Sequence, residues 1–458
     1  MGKKYNFDYI IIGGGPAGTT VARNLARNKK TQIALVEGRA LGGSNLNTRD
    51  VPYAISLGFA HTYRKFKSYP EVSEDNLHYN FPTIASHQDY VATQIRNAEE
   101  QLLVKKGVTL INGYAHFLSK NTIAVGEQQY TAKKFILATG AKLKTSEISG
   151  LSTVNYLTPD TAMKVRRLPK FAFIIGGGAT GCEIAEYYAE LGAKVLIMES
   201  SSRLLPREDK EAGESLREYF ENELGIMVVT GAKVVALEQE GSIKHVIFSS
   251  DGAERMVRVD CVVLATGSEP NTDLGLENAG VKYKIVGIGV NSSFQTSAKN
   301  IYAIGDCIGG KSSTERAEYQ ATILAQNLAG RAKSIPSYAG FIRVTDTYPQ
   351  IASVGQNESD LGKQAKKYKH AVVYLKDSLA SKIEHLPYGF VKITTDSKNR
   401  IVGSTIMAPN AALMAEELSI AVRHRLTALE IASTPHISGS FNEAIKLACK
   451  KILKNKAA

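Results

Sequence analysis

Apolar residues fall in short unbroken runs that stop at glycine clusters. Tyr9-Ile10-Ile11-Ile12 leads into Gly13-Gly14-Gly15-Pro16-Ala17-Gly18, and Phe171-Ala172-Phe173-Ile174-Ile175 leads into Gly176-Gly177-Gly178-Ala179-Thr180-Gly181. Such a run, with no polar alternation, reads as a parallel strand buried on both faces, and the glycines mark its turn into a helix. A second run follows each helix, at 32–36 and 194–198, and each ends at an acid, Glu37 and Glu199. Two further apolar strands, at 135–137 and 262–264, both close on Ala-Thr-Gly, and residues 301–304 deliver Gly305-Asp306. From Tyr348 onward the pattern changes to strands at 372–375, 389–394 and 401–407 with two helices, an α+β arrangement. The expected fold is α/β, with two Rossmann-like dinucleotide-binding domains and a C-terminal α+β domain.

The glycine spacing carries chemistry. Gly13 permits the tight turn, Gly15 lets the backbone approach a pyrophosphate, and Gly18 allows the helix to pack closely on the strand. Pro16 and Ala17 open the helix whose N-terminus receives the phosphates. Gly176, Gly178 and Gly181, with Ala179 and Thr180, repeat the device. Glu37 and Glu199 lie at the ~20-residue distance where an acid accepts a ribose 2′-OH. Two complete units imply two dinucleotides, and the economical pair is FAD with a nicotinamide. Glu199 followed by Ser200, Ser201 and Ser202 repels a 2′-phosphate, which favours NAD(H) over NADP(H), with Arg203 acting against that preference. Asp306, at the end of a short strand, suits a hydrogen bond from a polyol such as the flavin ribityl chain. Thr139-Gly140 and Gly267 mark where the chain leaves each dinucleotide fold.

Composition narrows the setting. A chain of 458 residues holds roughly three domains. No apolar run reaches the ~20 residues of a membrane span, and Met1-Gly2-Lys3-Lys4 leads straight into the first strand, so a cytoplasmic protein without a membrane span is expected. The net charge of +12 is spread along the chain, apart from Lys450, Lys451, Lys454 and Lys456, and no nucleic-acid module accompanies it. A weakly anion-attracting surface is expected, with no nucleic-acid partner. Cys182, Cys261, Cys307 and Cys449 are scattered, with no CxxC. The first two read as buried, inert thiols, and neither Cys307 nor Cys449 has a thiol partner in its own stretch of sequence.

On these motifs, with Tyr348-Pro349-Gln350-Ile351-Ala352-Ser353-Val354-Gly355 and Gly389-Phe390-Val391-Lys392, the chain resembles the FAD-dependent pyridine nucleotide-disulfide oxidoreductases from Tyr9 to about Ala448. The resemblance implies a homodimer whose active site combines one subunit's flavin with the other's C-terminal segment. It also implies an FAD-binding domain in two parts (1–145 and 269–335), an NAD(P)-binding domain (146–268) and a dimerisation domain (336–458). Gly43, Ser44 and Ala115 join Thr139, Gly140, Gly305 and Asp306 as FAD-site candidates, and Gly267 joins the nicotinamide set.

Departures from the family pattern bear on function. Asn45 and Asp50 occupy the positions of the redox cysteines. The family's lysine beside the flavin matches Ala54, while its glutamate partner is retained as Glu183, which is expected near the nicotinamide without its cation. Thr434-Pro435-His436-Ile437-Ser438-Gly439 stands where the family has His-Pro-Thr and a later glutamate, so Thr434 and Gly439 replace the acid-base dyad. His436 with Glu443 offers a substitute pair, against a packing role for that histidine. The aromatic gate of the nicotinamide pocket matches Ala179. Asp50 is expected beside the flavin on the face opposite NADH, where its carboxylate either imitates the charge of a thiolate, disfavouring the anionic reduced flavin, or accepts a proton during hydride transfer. Asp50, Glu183 and His436 are thus the catalytic candidates.

These features favour a flavoenzyme that takes hydride from NAD(P)H onto FAD and passes electrons to a small non-thiol acceptor: a quinone, a dye-like or metal oxidant, dioxygen or a second nicotinamide. A dimer that keeps FAD for structure or sensing is the alternative, and disulfide reduction through a thiol such as Cys307 is a third.

Overall fold

The computed structural model describes residues 5–69, 71–73, 78–144, 148–331, 334–365 and 367–454. The first four residues, the expected domain boundary at 145/146 and Lys456 lie outside the described residues. The chain divides into two compact units. One comprises Met1–Tyr53, Thr83–Thr145 and Gly267–Ser337, the other Ala54–Pro82, Ser146–Thr266 and Tyr338–Ala458.

In the first unit, parallel strands run in the order Val108–Asn112, Ile33–Glu37, Phe7–Ile12 and Gln128–Leu137, and Ile301–Ala303 pairs parallel on the far side of the last. The early half of Gln128–Leu137 instead pairs antiparallel with Thr122–Val125, which pairs in turn with Ala115–Ser119. Register sets Ile10 between Ala34 and Phe135, and all three are fully buried. On one face pack the helices Pro16–Leu25 and Thr314–Leu328, through Val21, Ala22, Ala321 and Leu324. Phe117, Ile123, Leu274 and Leu276 cover the other face. Burial on both faces is why the strands read as unbroken apolar runs.

The second unit repeats the order with Met227–Thr230, Lys194–Glu199, Phe171–Ile175 and Cys261–Leu264, all parallel. The antiparallel strands Lys233–Glu240, Ile243–Ser250 and Ala253–Val259 fill its last crossover. The C-terminal part is a five-stranded antiparallel sheet in the order Ile342–Thr345, Gln350–Gly355, Ile401–Ala408, Phe390–Asp396 and Tyr368–Tyr374. Helices Ala411–His424, Ala428–Ser433 and Glu443–Lys454 cover it through Met414, Leu418, Ile431, Ile445 and Ile452. The edge strand begins four residues before the expected 372, because Tyr368 and His370 pair with Asp396 and Thr394 across a polar stretch that hydrophobic pattern does not mark. The fold is α/β, with two Rossmann-like domains and a C-terminal α+β domain.

Within the second unit, a buried ion cluster joins the inserted Rossmann-like domain to the C-terminal sheet. The Lys392 side chain is fully buried, with its ammonium 2.8 Å from Glu211, 3.1 Å from Glu358 and 3.7 Å from Asp209. Thr405 donates to the second oxygen of Asp209 at 2.8 Å, and Arg343 holds Glu208 through two nitrogens, at 2.8 and 3.0 Å. Among the described residues no helix is long and apolar enough to cross a membrane, and no side-chain cluster has the make-up of a metal site.

Candidate functional site

The first glycine turn is shaped by close approach. Gly13 has φ +106°, and a Cβ there would lie 2.2 Å from the Ala138 carbonyl oxygen. A Cβ on Gly18 would lie 1.8 Å from the Gly13 oxygen, so the helix starts hard against its own turn. Gly15 meets only the Gly43 Cα, at 3.8 Å, which leaves its backbone bare. The helix opening at Pro16 has no side-chain cap and no acid in its first turn. Its free N-terminal amides and the bare backbone at Gly15 fit a pyrophosphate. Glu37 holds the turn, accepting from the Gly14 amide at 2.6 Å and the Arg39 amide at 2.8 Å. Each carboxylate oxygen has a second lone pair for a ribose hydroxyl.

The same construction recurs at Gly176, with φ +111° and a Cβ position 2.4 Å from the Ala265 oxygen. Gly181 abuts the Gly176 oxygen, Gly178 faces open space, and the helix opening at Ala179 and Thr180 is uncapped and lacks a first-turn acid. Glu199 accepts from the amides of Gly177 (2.8 Å) and Ser201 (2.7 Å) and from the Ser200 hydroxyl.

Around the first turn the fold gathers the other expected residues. A Cβ on Gly305 would touch that of Ala17, so the end of the strand Ile301–Ala303 lies beside the first helix turn. Gln320, fully buried, accepts from the Gly305 amide at 2.7 Å. Burial raises the Asp306 carboxyl above its ordinary range and the charge of Asp50 adds to this, while Ser312 and Arg316 oppose it. Thr139 and Asn271 exchange side-chain hydrogen bonds with each other's carbonyls, at 2.8 and 2.9 Å. The Ala141–Leu143 and Ser268–Pro270 strands beside them pair antiparallel, which brings Gly140 and Gly267 to one crossover. Ala115 opens its strand next to Tyr114, whose hydroxyl accepts from the Arg39 guanidinium at 3.3 Å. Sequence reading missed that Arg39–Tyr114 pair; the Gly38 that makes room for the Tyr114 ring is its only trace in the chain.

Asn45 and Asp50, expected at the thiol positions, form a closed polar triangle with Thr314. The Asn45 amide donates to Asp50 at 2.5 Å and to Thr314 at 2.8 Å, and the Thr314 hydroxyl donates to Asp50 at 2.6 Å. Asn47 pins the turn that carries them, donating to Leu41 and Gly43 carbonyls and accepting from Arg96 at 2.8 Å, so Gly43 and Ser44 begin a short, tied helix. All four cysteines are free and buried. Burial pushes the Cys307 thiol up to about 11 and those of Cys261 and Cys449 up to about 12, and lifts Cys182 well above its usual value.

Glu183 accepts from the Asp346 amide at 2.8 Å. On the same helix face, Glu186 is fully buried between His61 Nε2 (3.1 Å) and the Tyr348 amide (2.8 Å). Burial raises the Glu186 carboxyl despite His61; burial disfavours charge on His61, but Glu186 outweighs it and raises the imidazole. Burial pushes Glu190 up to about 7, Arg64 opposing at 3.3 Å and Glu186 adding to the rise. A carboxyl whose folded pKa exceeds its unfolded value loses stability as pH rises from the ordinary glutamate range through about 7. Glu190→Gln is therefore expected to raise the melting temperature at pH 8 and barely at pH 4.5, with Arg64 keeping Glu223; calorimetry at the two pH values measures it.

His436 does not pair with Glu443. Its Nε2 lies 3.1 Å from Glu417 on the neighbouring helix and its Nδ1 meets the Thr434 carbonyl, while Glu443 accepts from the Gly439 amide. Glu443 opens its own helix and is taken by the turn before it, whereas Glu417 reaches His436 from a helix the local spacing does not reveal.

Two phosphate-binding turns, each on a parallel sheet of the same strand order, define a protein that binds two dinucleotides. The chain belongs to the pyridine nucleotide-disulphide oxidoreductases: the family model matches residues 7–321, and that of the family's dimerisation domain matches 342–449. It is 31% identical to a mercuric reductase of Bacillus cereus over 97% of this chain and 71% of that protein. It is 30% identical to a dihydrolipoyl dehydrogenase of Geobacillus stearothermophilus, over 95% of this chain and 93% of that protein. Among solved structures, the HOCl-induced flavoprotein disulfide reductase RclA of Escherichia coli superposes with a TM-score of 0.86 at 22% identity, covering 97% of this chain and 99% of that one, a likeness of fold. LpdA of Mycobacterium tuberculosis gives 0.85 at 25% identity, over 97% and 99%. The chain is thus a flavoprotein oxidoreductase of the FAD and NAD(P)H type, and its dimerisation domain supports a homodimer.

Proposed function

We propose that this protein carries electrons from NAD(P)H through FAD to a small non-thiol acceptor. The observation that carries the reading is the Asn45–Asp50–Thr314 triangle: the positions where the family pattern has thiols hold an amide and a carboxylate that satisfy each other. Thiol exchange needs an accessible thiolate, and every cysteine of the chain is buried with a raised pKa.

Bound FAD supplies a two-electron carrier between donor and acceptor. In this reading residues 1–145 and 269–335 bind FAD, 146–268 bind the nicotinamide and 336–458 form the dimer interface. Gly13, Gly15, Pro16, Ala17 and Gly18 cradle the FAD pyrophosphate, Glu37 takes a ribose hydroxyl and Asp306 the ribityl chain. Gly43, Ser44, Ala115, Thr139, Gly140 and Gly305 complete that site. Gly176, Gly178, Ala179, Thr180, Gly181, Glu199 and Gly267 hold the nicotinamide dinucleotide, and Glu199 with its serines favours NADH. Asp50 faces the acceptor side. In this reading the protein works in the cytoplasm.

Anaerobic mixing with NADH, followed by stopped-flow absorbance, tests the proposal. Flavin bleaching within seconds is expected, then reoxidation by a quinone at a rate unchanged when all four cysteines are replaced by serine. Flavin that stays yellow with NADH and NADPH would move the weight to a structural or sensing dimer. Turnover lost in the cysteine-free variant, with its fold intact, would restore a thiol mechanism.

A further inference from the structure

Helix Ala179–Glu190 presents Glu183, Glu186 and Glu190 on one face, three and four residues apart. Residues 345–348 run along that face and lead into the strand Gln350–Gly355. Two amides of this segment, two residues apart, donate to the helix: Asp346 to Glu183 and Tyr348 to Glu186, both at 2.8 Å. On the other side, the Gln350 amide donates to the Asp346 carboxylate at 2.6 Å and its oxygen accepts from the Ala412 amide at 2.7 Å. The segment is clamped from both directions.

Glu186 is a costly way to satisfy one backbone amide, because a fully buried carboxylate must be compensated. His61 supplies that compensation at 3.1 Å, and its ring lies 5.6 Å from that of Tyr348. What the pair provides in return is orientation. Seating Tyr348 on Glu186 fixes the direction of the Asp346 amide, and that amide is a donor to Glu183, whose family partner lysine is replaced by Ala54.

We propose that His61 and Glu186 are positioning residues for the NAD(P)H half-reaction: together they seat residues 345–348 so that the Asp346 amide holds the Glu183 carboxylate in one orientation beside the nicotinamide. This rests on the function proposed above and on the family resemblance, which puts Glu183 near the nicotinamide. Removing the buried acceptor lets the segment rotate and moves the Asp346 amide off the Glu183 carboxylate. Glutamine at 186 keeps the acceptor for Tyr348 and removes only the charge.

The test compares wild type with Glu186→Ala, Glu186→Gln and His61→Ala, each assayed as flavin-loaded protein by anaerobic bleaching with NADH and by its melting temperature. Glu186→Ala and His61→Ala are expected to lower the limiting bleaching rate about tenfold, with half-saturation by NADH changed less than about twofold, since misplacement of a positioned group acts on the reacting geometry. Glu186→Gln should recover the rate to within about threefold of wild type. A group that only stabilises the fold would lower the melting temperature and leave the rate per bound flavin unchanged. Wild-type rates in folded Glu186→Ala overturn the inference; if that variant does not fold, wild-type rates in His61→Ala overturn it equally. Wild-type protein that itself does not bleach overturns the proposed function instead, so the two failures are told apart.

Discussion

Lys392→Ala is expected to lower the unfolding free energy by about 3–5 kcal/mol, the usual consequence of removing one partner from a buried ion pair. The substitution leaves Asp209, Glu211 and Glu358 facing one another around an empty site. Urea unfolding followed by circular dichroism measures the loss, and a change below about 1 kcal/mol would mean that water replaces the ammonium. Pairing Lys392→Met with Glu211→Gln should recover part of the stability, because fewer charges then lack partners.

The same cluster sets a pH window. Glu211 is held below its ordinary value, although burial alone would raise it, because Lys392 donates to it; Lys392 is held above its ordinary value by the carboxylates against its own burial. The Glu211 contribution is complete above the unfolded glutamate pKa and disappears as pH falls through the folded one. The Lys392 contribution is complete below the unfolded lysine pKa and disappears as pH rises through the folded one. Across neutral pH both are present, so the Lys392→Ala loss should be nearly flat there and shrink toward acid.

The second large effect is at Gly13. Alanine there must adopt φ +106° with its Cβ 2.2 Å from a backbone oxygen, and no side chain can yield to relieve the contact. Gly13→Ala is expected to purify colourless, with less than about a tenth of the wild-type flavin-to-protein absorbance ratio, the outcome of a loss of about 3 kcal/mol or more in binding. Gly178→Ala gives the contrast, since its Cβ would point into open space. That variant should fold, keep its flavin and lose affinity for NADH. A yellow Gly13→Ala protein would mean that the Ala138 strand moves aside.

What the sequence made legible was local. Strand, glycine turn, helix and acid lie within about 30 residues, and hydrophobic pattern with spacing is enough to place them. Contacts between distant parts were not legible. Thr314 lies 269 residues from Asn45, and nothing near either marks the other. Lys392 and Glu211, 181 residues apart, sit in a strand and a helix whose patterns are each complete without the pair. His436 was visible, but the carboxylate that meets it, Glu417, comes from another helix and nothing near His436 marks it. Even the exceptional Glu186 passes unnoticed in sequence, because an acid on a helix reads as solvent-facing until the opposing segment is known.

Thiolates have a weakness that the Asn45–Asp50–Thr314 triangle lacks. An exposed thiolate can be carried through sulfenic and sulfinic acid, and past the first step it is rarely recovered. An amide, a carboxylate and a hydroxyl have no corresponding ladder. Peroxide, hypohalous acid, alkylating agents and soft metal ions that would disable a cysteine pair find no nucleophilic sulfur at these three residues, and the nearest alternative targets, the chain's own thiols, are closed off in its cores.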